Sequence, residues 1–146
     1  MNTRTLTSAN AKLLLAVDTI FPIPIQIAGF STDDMTDVDS ISPKEVSMGI
    51  DGRLSAGFVP VPITQNITLQ ADSASIEFFE QWFQYEQQTR ETYFATGQLH
   101  VPGQQKAYAM TRGVLTGYVP FSALRKTAQP RRFSIVWQSI TAAPSF

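Results

Sequence analysis

One stretch of this sequence, DSASIEFFEQWFQYEQQTRE (residues 72–91), repeats with the period of a helix, whereas the segments on either side of it repeat with the period of a strand. Ile76, Phe79 and Phe83 form one row, and Phe78, Trp82 and Tyr85 form a second row beside it. Together they make an apolar stripe about half the helix circumference wide. Glu77, Glu80, Gln81, Gln84, Gln87 and Gln88 take the other half. Asp72 or Ser73 is placed to cap the helix, and Glu77 falls in the first turns, where the helix dipole favours an anion. Burying six such side chains contributes ~10 kcal/mol as an upper estimate. The stripe therefore predicts a helix packed on a sheet, not a ligand platform.

The flanks supply the sheet. AKLLLAVDTIF (11–21) is a short apolar run that suits a buried strand. In PIPIQIAGF (22–30), Ile23, Ile25 and Ile27 alternate with Pro24 and Gln26. Pro22 and Pro24 cannot donate to a ladder, so this strand belongs at an edge or just after a turn. Residues 31–44, STDDMTDVDSISPK, hold four acids and many turn formers and predict an exposed acidic loop, long for a compact domain. In 45–61, Asp51-Gly52 is the preferred pair for a tight type I′ hairpin turn. Val46, Met48 and Ile50 alternate on one arm; Leu54, Ala56 and Phe58 alternate on the other. Ile63, Gln65, Ile67 and Leu69 share one face of the next strand. After the helix come strand candidates in 92–103, 104–120 and 131–142, the last with Phe133, Ile135, Trp137 and Ser139 on one face and Ser134, Val136, Gln138 and Ile140 on the other. The order strands, one helix, strands predicts an α+β fold. It is mostly antiparallel, a β-sandwich or barrel with one flanking helix over about residues 73–90.

With 146 residues the chain suits a single domain, able to bury roughly 70% of its unfolded surface. It has no cysteine and one histidine, His100. Disulfides, thiolate metal sites and two-histidine metal sites within one chain are thereby excluded. The first residues lack the pattern of a signal peptide, and no run approaches the ~20 apolar residues of a membrane span. These features point to a soluble protein of a reducing compartment.

Net charge is −1, but its distribution is uneven. Residues 1–91 hold all twelve acids and a balance of −7; residues 92–146 hold no acid and a balance of +6. The two segments either interleave and neutralise each other within one fold, or present an acidic and a basic face to neighbouring copies. Complementary faces of that kind set register and partner choice. Four cations, Arg125, Lys126, Arg131 and Arg132, run straight into the last strand. With Phe121, Phe133 and Trp137 they resemble the basic and aromatic interleaving of nucleic-acid binders. A pI of about 5.7 and the strand phase of Phe133 and Trp137 argue instead for core aromatics and interface cations.

Catalytic signatures are missing. The sequence holds no phosphate-binding loop, no dinucleotide fingerprint, no zinc-protease helix and no nucleophile elbow. Asp33, Asp34, Asp37 and Asp39 loosely suggest a calcium loop, but the glycine and terminal glutamate of an EF-hand are missing. No spacing singles out a carboxylate pair for acid–base work, and His100 stands alone near a strand end. The expectation is a non-enzyme with no cofactor and no metal.

Three segments together resemble the tail tube proteins of tailed bacteriophages. They are DGRLSAGFVPVPITQNITLQADSAS (51–75), YFATGQLHVPGQQKAYAMTRGVLTGYVP (93–120) and KTAQPRRFSIVWQSI (126–140), and the likeness covers residues 45–141. The resemblance implies one tail-tube-like domain over residues 1–146, carrying the acidic loop at 31–44. It implies hexameric rings of identical subunits stacked head to tail into a hollow tube, through which the genome passes without specific binding. The tubes of type VI secretion are similar in fold. Tape-measure, tail terminator and baseplate proteins, and a sheath if the tail contracts, are the implied partners. The implied location is the virion tail, assembled in the host cytoplasm. Subunit contacts are expected at Asp33, Asp34, Asp37, Asp39, Asp51, Gly52, Arg125, Lys126, Arg131 and Arg132. Another tail or baseplate component of the same fold, a type VI secretion tube protein, and a monomeric ligand-binding barrel with an apolar cavity are the alternatives.

Overall fold

A computed structural model describes residues 11–30, 36–102 and 105–144. Among them the chain forms strands β1 (Lys12–Val17), β2 (Phe21–Ile27), β3 (Thr36–Val38), β4 (Lys44–Met48), β5 (Leu54–Phe58) and β6 (Ile63–Leu69), helix α1 (Ile76–Thr89), then β7 (Ala95–Val101), β8 (Lys106–Gly117) and β9 (Arg131–Pro144). Seven strands make one sheet in the order β2-β1-β7-β8-β9-β6-β3, and β4 and β5 pair only with each other. Every pairing is antiparallel. As the prolines required, β2 is an edge strand.

Alternation decides which face is covered. Phe133, Ile135 and Trp137 of β9, Ile67 and Leu69 of β6, and Leu13, Leu15 and Val17 of β1 are buried on one face with Ile76, Phe78, Phe79 and Trp82 of α1. Phe79 stacks on Phe133 at 4.4 Å, and Phe78 stacks on Phe21 of the edge strand at 4.6 Å. The outer residues of the predicted stripe sit at the rim of this core: Phe83 stacks on Tyr118 and Tyr85 leans on Tyr93. Gly113 is required where Trp137 crosses β8, because a Cβ there would lie 2.5 Å from the indole ring. After β2 the chain crosses over, and Phe30 bridges to Leu69. The sheet curls but does not close into a barrel among the described residues. The α+β, mainly antiparallel class holds, realised as one curled sheet with a helix on its inner face.

Three local expectations change. Neither Asp72 nor Ser73 caps the helix; Ser75 is the N-cap residue, without a side-chain cap bond. The two serines hold the chain after β2 instead. Ser75 Oγ accepts from the Ala28 N–H at 2.8 Å, and Ser73 Oγ donates to the Ala28 carbonyl at 2.6 Å. The hairpin turn is not type I′, which needs two left-handed residues. Here only Gly52 is left-handed, with φ 84°, and the Gly52 N–H closes a turn onto the Gly49 carbonyl. Finally, the segment 31–44 is not loop throughout. Residues 36–38 form β3 against β6, and residues 31–35 lie outside the described residues.

Candidate self-assembly surfaces

The β4–β5 hairpin stands apart from the sheet. Its register places Met48 opposite Leu54, Val46 opposite Ala56 and Lys44 opposite Phe58, so one face is apolar except for Lys44 at the base. The Lys44 ammonium lies 5.2 Å from the centre of the Phe58 ring. Alternation like this normally marks a half-buried strand. Nevertheless, every residue of both strands is exposed, Met48 to 64% and Phe58 to 69%. Pro43 and Val59 close the base through a backbone hydrogen bond of 2.7 Å. Asp51 and Gly52 lie at the tip, where the Asp51 carboxylate accepts from the Arg53 N–H at 3.0 Å.

A groove opens beside that hairpin's root. Val38 and Ile41 form one wall, and Ile63, Leu99, Tyr108, Met110 and Ile140 form the floor and the other wall, around about 420 Å³. It continues the inner face of the sheet beyond the helix. Asp37 and Asp39 border it, but their carboxylates turn to the opposite face of the sheet, toward Asn66. Both carboxylates accept from the Asn66 amide, at 2.8 and 3.1 Å, while Asn66 Oδ1 accepts from Ser134 Oγ at 2.9 Å. On the inner side, buried Gln65 accepts from the Trp137 indole N–H at 2.9 Å and donates to Thr36 Oγ1 at 2.9 Å. These two amides of β6 pin β3 along the groove.

The four cations before the last strand do not form one surface. Arg125 and Lys126 sit at the exposed tip of a small loop closed by a bridge between Leu124 and Ala128, and Arg132 is exposed on β9. Arg131 points inward and is 5% exposed. Its Nη1 donates to Glu80 of α1 at 2.6 Å, and its Nε and Nη2 donate to the Val119 carbonyl at 3.1 and 2.5 Å. The guanidinium also lies 5.2 Å from the Phe133 ring centre and 5.6 Å from that of Tyr118. Arg131 thus joins the helix to the sheet within its own chain, with no face left for a neighbour. Sequence phase contained the signal for this: Arg131 shares the parity of Phe133, Ile135 and Trp137. Asp33 and Asp34 fall outside the described residues.

No feature of these surfaces resembles a catalytic constellation. His100 is half-buried in β7, opposite Lys12 and Ala107. Among the described residues no group of three histidines or carboxylates is arranged to hold a metal ion. Partial burial raises the pKa of Glu86, opposed by the Tyr93 N–H and the Trp82 indole.

The model of the family described as tail fiber protein gp32 matches residues 4–141. The chain belongs to that family. It is a structural component of phage tail-type particles. No curated protein matches the sequence. Among solved structures, a chain of the anti-feeding prophage baseplate is 12% identical with a TM-score of 0.62, covering 99% of this chain and 98% of that one. A chain of the cap that terminates the anti-feeding prophage tube is 9% identical with a TM-score of 0.61, covering 99% and 95%. A chain of the sheath–tube complex of the PVC extracellular contractile injection system is 10% identical with a TM-score of 0.57, covering 91% and 88%. At these identities the likeness is one of fold, and it bears out the resemblance to tail tube proteins at that level.

Proposed function

We propose that this gp32 family member is a structural, non-enzymatic subunit that forms hexameric rings, and that the rings stack into a tail tube through which the genome passes. The observation that carries this reading is the end-to-end fold match to a baseplate chain of a six-fold particle. The solitary apolar hairpin supports self-assembly, because such a face is a liability on a monomer. Tube formation needs two different complementary faces per subunit, since only heterologous contacts propagate. Arg125, Lys126 and Arg132 supply the cationic side of such a contact, toward acids of an adjacent copy.

A second reading has its own support in the family description and the baseplate match: a ring at the end of the tube that never stacks. Negative-stain electron microscopy of the full chain across concentration, with light scattering, separates the two. Rings that stack into hollow tubes are expected. Rings that stay single select the second reading, and a chain that is monomeric at every concentration overturns both.

A further inference from the structure

We infer that Arg112, exposed on β8, is kept for its guanidinium, which receives a carboxylate of a second copy. The inference deepens the assembly reading above and rests on it.

Backbone geometry singles out Arg112. Ala95 of β7 pairs with Gly113 and Gly97 pairs with Met110, so β8 bulges here by one residue. Arg112 takes up the extra length with φ 49°, in the left-handed region. Glycine is the usual residue at such a point, because a Cβ crowds the following carbonyl. An arginine there carries strain that glycine would not. Strain of this kind gathers at functional sites, and bulges re-aim side chains there.

The side chain is also held ready. Its guanidinium lies 3.9 Å from the centre of the Phe94 ring. Phe94 is itself tied down, since its carbonyl accepts from the Asp18 N–H at 3.0 Å and β7 begins at the next residue. An exposed contact between a cation and a ring stabilises by no more than the left-handed backbone costs, so the ring alone does not account for an arginine. The ring fixes the plane of the guanidinium instead. Among the described residues the N–H groups of Arg112 meet no carboxylate; neither Asp18, beside Phe94, nor Glu91, three residues before it, pairs with them.

A flat, held guanidinium with free donors suits a carboxylate, which takes two parallel hydrogen bonds from it. Residues 92–146 hold no acid, so on a second copy the carboxylate comes from residues 1–91. There Asp18, Glu45, Asp51 and Asp72 are exposed and make no ion pair among the described residues. A neighbouring copy therefore brings unpaired acids of the required kind. Donor and acceptor lie on different parts of the chain, so the contact is heterologous and repeats from copy to copy.

Full-length Arg112→Gly and Arg112→Asn chains both fit the left-handed backbone and remove the cation. Urea unfolding at a concentration below assembly reads the fold, and light scattering with negative-stain microscopy across concentration reads assembly. The inference expects a urea midpoint at or above that of the unaltered chain, while the concentration at which rings or tubes appear rises at least about tenfold, the effect of losing one charge-assisted contact. Arg112→Lys should recover only part of that loss, because a point charge lacks the fork. A lower midpoint in both variants would make Arg112 a residue of the fold alone and overturn the inference. So would assembly of both variants at the unaltered concentration, which would leave the assembly reading standing; weaker retention of double-stranded DNA by those assemblies would then reassign the guanidinium to phosphate. An unaltered chain that is monomeric at every concentration rejects both.

Discussion

Replacing Arg131 by alanine tests the internal anchor. The substitution removes three hydrogen bonds and two ring contacts that tie α1, β9 and the 118–121 turn together. It leaves the Glu80 carboxylate without its cation and the Val119 carbonyl without its donors. Breaking a buried pair by deleting one member costs about 3–5 kcal/mol, because the other charge stays behind. Glu80 is 34% exposed and can rehydrate, which places the loss near the lower end, about 3 kcal/mol. For a chain of this length such a loss lowers the melting temperature by roughly 6–12 °C. Urea unfolding of the monomer, at a concentration where assembly is absent, reads the change as a lower midpoint at unchanged slope. A double-mutant cycle with Glu80→Gln should return a coupling of about 1–2 kcal/mol. An Arg131→Ala loss below about 0.5 kcal/mol, the level of an ordinary surface change, would refute the anchor. Arg131→Glu should be worse than alanine, since it sets two carboxylates against each other.

Arg132→Glu, one residue on, should leave the urea midpoint within about 0.5 kcal/mol and shift light scattering toward smaller species, because that side chain is exposed. Trp137→Phe should cost about 1–3 kcal/mol in chemical denaturation, since it strands the buried Gln65 carbonyl oxygen that the indole N–H satisfies. The raised pKa of Glu86 means that the folded state binds its proton more tightly than the unfolded chain. Its contribution is therefore most favourable below pH 4.5 and turns into a penalty as pH rises through the folded value. Glu86→Gln should accordingly raise the melting temperature at pH 7 and lose that advantage below pH 4.5, as thermal melts across pH would show.

Periodicity alone determined a good deal here. The 3.6-residue stripe located α1 and the face it buries, and period-two alternation picked Phe133, Ile135 and Trp137 as the inner face of β9, but past Trp137 the phase slips: Ile140, not Ser139, joins the groove and the core. Pro22 and Pro24 marked β2 as an edge because a residue without an N–H cannot sit inside a ladder. These are local consequences of backbone geometry, readable without knowing the partner strand.

What depends on distant partners was not readable. β3 exists because Gln65 and Asn66, some thirty residues away, hold Thr36, Asp37 and Asp39, whereas its own composition reads as loop. Ser73 reads as a helix cap in the sequence, but its hydroxyl donates to the Ala28 carbonyl, forty-five residues away in the chain. Arg125 and Arg131 look alike in sequence, and burial separates them: one ends on a solvated loop tip, the other is turned inward, where Glu80 and the Val119 carbonyl offset the cost of leaving water. The hairpin is the reverse case. Its alternation predicts a buried face, and only the tertiary structure reveals that its own chain provides nothing to bury it, because the large sheet closes over α1 and leaves β4 and β5 outside.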